Sequence, residues 1–210
     1  MSTIYPDVNK YYQGDSNLCW AAACANALVW TGWNQAIAAA RGVSALDEEG
    51  IYDIYRLECP RGVSDQGWEA IDAIDWILKY HRIRIPLLKV AQSRSPSDFF
   101  LANSILSRPR NCVILGIWTI TPKGKVSAHA LTNYVTFHGD RGNGDNDPRR
   151  VSEIVYTDSD DARGDRTVHK QITDSLPGYE VSEKQIYLTY KFRVYRIDRW
   201  YSVLQNPSST

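Results

Sequence analysis

The first sustained apolar run of the chain lies between Ser16 and Trp30, where alanines, Cys19, Trp20, Cys24, Leu28 and Val29 leave almost no polar face. An Ala-rich stretch with apolar residues on every side predicts a helix buried on most sides, and Gly32 marks its expected end. Helical spacing returns from Gly50 to Glu58 and again from Gln66 to Tyr80, with Trp68, Ile71, Ile74, Trp76 and Ile77 in step. These segments predict amphipathic helices packed together in the N-terminal half.

From Ile83 the texture changes. Ile85 and Leu87 to Val90 suggest a strand, Ser97 to Ser107 a helix opened by SPSD, and Cys112 to Ile120 a buried strand. Further strands are expected at Ala128 to Phe137, Glu153 to Thr157, Gln185 to Leu188 and Arg193 to Trp200. The turn-rich GDRGNGDNDPRR reads as a solvated hairpin excursion, and NPSST as a frayed tail. The pattern predicts an α+β chain, residues 1–210 forming one unit, mainly helical over 1–110 and mainly strand over 111–205.

Composition narrows the function. Apolar residues are 43% of the 210, with seven Trp and thirteen Tyr, enough to build a sizeable core. Lys plus Arg and Asp plus Glu both number 24, and without a basic run the chain has no electrostatic footprint for nucleic acid. No apolar stretch is long enough to span a bilayer, so membrane insertion is not expected. The start, MSTIYPDVNKYY, has neither the basic region nor the apolar core of a secretory signal, so a cytoplasmic protein, or one exported without a cleavable signal, is expected. Four cysteines at 19, 24, 59 and 112 lack CxxC spacing, which points away from zinc and towards reduced thiols.

A cysteine gains nucleophilic character at a helix N-terminus, where the dipole favours thiolate, if a histidine can take its proton. Cys19 meets the first condition, and four histidines compete for the second. His129, in VSAHALTNYV, heads an apolar strand that follows another, NCVILGIW, and can project into a cleft. His81 reads as a helix-end residue, His169 lies in a polar loop, and His138 falls at the far end of the His129 strand. Trp118, Gly67 and Trp68 are positioned to line a cleft, although tryptophans of this kind are more often core.

In QGDSNLCWAA, Gln13 precedes Cys19 by six residues and Trp-Ala follows, which resembles the papain clan of cysteine peptidases. The resemblance implies a two-lobe fold with a helical N-terminal lobe and an antiparallel-sheet C-terminal lobe. It also implies that Gln13 and the Cys19 amide stabilise an oxyanion, an interaction of about 3 kcal/mol in such enzymes. The clan places an Asn or Asp on the strand after the histidine, and EIVYTDSDD fits that position. A strand ending in TDSD looks like the immunoglobulin-degrading Mac/IdeS endopeptidases. On that match Asp158 orients His129 and Asp160 supports it, while Asp161 has no counterpart and Lys10 is a second candidate near the oxyanion. Residues 34–110 lie outside the resemblance, as does any identity of the substrate.

The resemblance implies cleavage of peptide bonds in a protein substrate, a host protein if the chain is an effector, with no metal or organic cofactor. A deamidase, an acyltransferase or a ubiquitin-like isopeptidase would use the same triad, and a non-catalytic binding module would tend to lose its Gln, Cys or His. With no pro-segment evident before Tyr11, narrow specificity or an inhibitor protein is expected to restrain the enzyme.

Overall fold

Alanine dominates the helix α1, Cys19–Trp30, and the reason is its position: every residue from Trp20 to Leu28 is buried. Small side chains let neighbouring elements approach from all directions. In the computed structural model the described residues are 17–60, 68–83, 92–93, 110–121, 124–138, 151–158, 167–169, 171–173, 186–190 and 193–208. They form a mixed α+β structure in which the helices precede nearly all of an antiparallel sheet.

Among the described residues three helices pack around α1. Gly32, at φ +81°, a conformation that glycine adopts without strain, turns the chain directly into α2, Trp33–Arg41. The sequence pattern does not predict this helix; Gly32 reads there only as the end of α1. Its own end is signalled by Gly42 at φ +71°, whose N–H bonds back to Ala39 O while Val43 N–H reaches Ala38 O. Helix α3, Glu48–Glu58, opens with Asp47 as cap, its carboxylate accepting from Gly50 N–H at 2.9 Å, and has acids in its first turn and Arg56 in its last. Helix α4, Ala70–Tyr80, buries Ala73, Ile74, Ile77 and Leu78; of the residues in helical step Ile74 and Ile77 are fully buried, and Trp68, Ile71 and Trp76 pack partly buried against the core.

The strands are β1 (Gln92–Ser93), β2 (Cys112–Thr121), β3 (Gly124–His138), β4 (Val151–Thr157), β5 (Thr167–His169), β6 (Gln171–Thr173), β7 (Ile186–Tyr190) and β8 (Arg193–Val203). They pair antiparallel in the order β5-β4-β3-β2-β8-β7-β6, with β1 on β8. The four longer strands expected from the sequence are present, extended by a few residues. His169 is corrected from polar loop to strand: β5 pairs it with Ile154 of β4, and so short a segment carries too little alternation to be read. The strand expected at Ile85 and Leu87 to Val90, the helix expected from Ser97 to Ser107 and the loop GDRGNGDNDPRR lie outside the described residues.

Helix α1 sits on β2 and β3. Cys112, Ile114, Tyr201 and Val203 of the sheet share one core with the buried residues of α1, α3 and α4. Residues of opposite parity, Val113, Leu115, Leu131 and Trp200, are buried as well, so both faces of the central strands are covered. Two side-chain hydrogen bonds cross from α1 to the sheet: Thr132 Oγ1 donates to Ala23 O at 3.0 Å, and Asn26 Nδ2 donates to Thr157 Oγ1 at 3.4 Å. At the other end, Trp30 Nε1 donates to Asn111 O, Trp33 Nε1 to Leu204 O, and Asn206 N–H to Thr31 O. The segment after β8 thus closes over the α1–α2 turn.

Candidate active site

Cys19 is the first residue of α1 and differs from its neighbours in one respect. Leu18 and the residues from Trp20 to Leu28 are buried, whereas Cys19 is partly exposed. The N-cap, Leu18, provides no side-chain hydrogen bond to the helix, and no acid occupies the first turn. The positive end of the helix is therefore not neutralised from within α1, and the atom placed there is sulfur.

The other thiols have different surroundings. Cys24 and Cys112 are fully buried, and burial pushes both thiols far up. Cys24 Sγ donates to Ala70 O at 3.7 Å, as a small core residue does. Cys59, after α3, is partly exposed and also raised by burial. All four are free of disulfides.

His129 lies on β3 opposite Ile117 of β2, one residue before Ala130, which packs against the helical core. Its side chain is 13% exposed, and Nε2–H donates to Asp158 Oδ1 at 2.7 Å. The register explains that contact: Thr157 pairs with Thr132, so extending the pairing by one residue sets Asp158 opposite Leu131 and diagonal to His129. With Nε2 engaged, Nδ1 is the nitrogen left for Cys19, whose side chain adjoins the ring. Burial opposes charge on the imidazole, but the hydrogen bonds to Asp158 and Cys19 and their negative charge outweigh it. His129 is pushed up to about 10.

The structure thus brings together Cys19, His129 and Asp158, three residues from a helix, a strand and a strand end. Trp68 stands edge-on to Trp20 with ring centroids 5.6 Å apart, beside the first turn of α1, and is partly exposed. Trp118 pairs with Ala128, the residue before His129, and is also partly exposed. Gln13, Gly67 and Asp160 lie outside the described residues, as do Lys10 and Asp161. Of the other histidines, His81 caps α4 with its ring between Arg41 Nη1 at 3.1 Å and Ile77 O at 2.8 Å. His138 ends β3, nine residues beyond His129, and His169 ends β5.

Sequence reasoning missed a charged tie near the site. Glu69, the N-cap of α4 and the neighbour of Trp68, forms an ion pair with Arg199 and accepts from Tyr201 OH, both on β8. Nothing in the spacing of residues 69, 199 and 201 announces it, because the strand register creates the contact. Among the described residues no helix is long and apolar enough to cross a membrane, and no group of three or more His, Cys, Asp and Glu could hold a metal ion. No family model and no curated protein sequence matches the chain.

Proposed function

We propose that the chain is a papain-like cysteine peptidase, with the helices around α1 as one lobe and the antiparallel sheet as the other. The observation that carries this reading is His129, held by Asp158 Oδ1 at 2.7 Å on one side and adjoined by Cys19, the first residue of α1, on the other. A cysteine at the start of a helix whose N-cap, Leu18, makes no side-chain cap, beside a charged and carboxylate-anchored imidazole, is an arrangement suited to nucleophilic acyl chemistry.

In the proposed reaction the proton shared by Cys19 and His129 rests on His129 Nδ1, and the Cys19 sulfur, as thiolate, attacks the carbonyl carbon of a peptide bond. The oxyanion is stabilised by the Cys19 backbone N–H and, on the papain-clan resemblance, by Gln13. Collapse breaks the C–N bond, His129 protonates the departing amine, and a thioester to Cys19 remains. Water, giving a proton to His129, then attacks the thioester; the C–S bond breaks, the acid product leaves, and the thiolate–imidazolium pair is restored. Asp158 holds the ring with Nδ1 towards sulfur and stabilises the imidazolium. Trp68 and Trp118 are proposed to line the cleft beside the scissile bond, and the substrate is proposed to be a specific protein.

The test compares wild type with Cys19→Ala after incubation with a cell lysate, with mass spectrometry of new protein N-termini. New termini that require Cys19 are the expected result. Cys19-dependent mass changes of about +1 Da or added amines, without new termini, would replace peptide hydrolysis with deamidation or acyl transfer.

A further inference from the structure

We propose that Asn26, Thr132 and Thr157 are positioning residues, a buried polar key that fixes the register of α1 on β3 and β4 and so aligns Cys19, His129 and Asp158. The inference rests on the triad reading above and goes beyond it.

The three side chains are 2%, 0% and 1% exposed, in a core that the helix lines mainly with alanine and the sheet with Cys112, Ile114, Tyr201 and Val203. Asn26 is the sole amide or charged side chain between Cys19 and Trp30. Each link stands next to one member of the triad. Thr132 Oγ1 bonds to Ala23 O, one turn along α1 from Cys19, and Thr132 itself is three residues beyond His129 on β3. Asn26 Nδ2 reaches Thr157 Oγ1, and Thr157 is the residue directly before Asp158. Thr132 and Thr157 also face each other across the β3–β4 ladder. The two hydrogen bonds and the one register pair therefore join the carriers of the nucleophile, the base and the acid in a single loop of contacts.

From Ala21 to Ala27 the helix has no large side chain to fix its register on β3 and β4. One residue of slip moves it about 1.5 Å and rotates it about 100°. Either motion would carry Cys19 away from His129. It would also strand a buried amide and two hydroxyls, and leaving such groups unpaired is unfavourable. Polar pairs of this kind favour one register over its neighbours even where they add little to net stability.

The test uses the paired apolar variant Asn26→Leu/Thr157→Val, which removes both partners together, and Thr132→Val, with Thr132→Ser and Thr157→Ser as variants that keep the hydroxyl. Thermal melting confirms folding, and two readouts report alignment: the rate of iodoacetamide alkylation at Cys19, followed by mass spectrometry, and the imidazole titration of His129 by NMR. The apolar variants are expected to fold, to alkylate at least about tenfold more slowly near neutral pH, and to titrate at His129 closer to its ordinary value of 6.5; the serine variants should behave as wild type. A role in stability alone would lower the melting temperature and leave the His129 titration in place, and that result would overturn the proposal. If wild-type His129 itself titrates near 6.5, the triad reading falls and the positioning proposal falls with it.

Discussion

Asp158 lies 29 residues beyond His129 in the chain, yet its Oδ1 is 2.7 Å from His129 Nε2, because β3 and β4 pair as antiparallel neighbours. The carboxylate thereby anchors a largely buried ring and supplies the first of the contacts that outweigh burial in keeping it charged.

Removing that carboxylate should reverse the balance. In Asp158→Ala the effect of burial remains while its main opponent is gone, so the His129 titration is expected to move down from about 10. Cys19-dependent turnover of any substrate should fall by about 10² or more, because the base then lacks its fixed orientation. An unchanged imidazole titration, followed by NMR, would show that Asp158 does not control His129.

Stability should depend on pH through the same group. The folded pKa of His129 is raised, so between 6.5 and about 10 the folded chain keeps a proton that the unfolded chain has released. The contribution is complete below pH 6.5 and is lost as pH rises towards 10. Urea midpoints measured across that window should decline more steeply for wild type than for His129→Gln. Parallel curves would contradict the assignment.

The four thiols should separate by reactivity in the native state. Cys24 and Cys112 are fully enclosed and held as thiols by burial, and Cys59 is raised for the same reason. Limited iodoacetamide treatment followed by peptide mapping is expected to label Cys19 first, Cys59 later, and the other two after unfolding. Equal labelling of Cys59 and Cys19 would count against a special environment at the helix start.

Glu69 and Arg199 should be energetically coupled. Their side chains are partly exposed, at 39% and 27%, so a coupling of about 1 kcal/mol is expected from a double-mutant cycle of Glu69→Gln and Arg199→Met. Strictly additive changes in urea stability would show that this tie between α4 and β8 contributes nothing.

Helix α1 was legible because alanine, tryptophan and cysteine leave no polar face, and β2 because NCVILGIW is an unbroken apolar run. Cys19 and His129 stood out through local sequence, and Asp158 through its place at the end of the following strand. The key of Asn26, Thr132 and Thr157 was not read, although an asparagine in an alanine helix was a visible signal. Its partners are set by the strand register, which no short window of sequence contains. Helix α2 was missed for a local reason: a left-handed glycine can end one helix and start the next in a single step.

The enclosure of α1 has a last consequence for how the molecule fails. With Trp20 to Leu28 shut off from solvent, the amides of this helix can exchange with deuterium only when the whole core opens, so they should be among the slowest in the chain. The helix start that carries Cys19 then has no private route to melting. Heat inactivation and global unfolding of the wild-type chain should trace one curve.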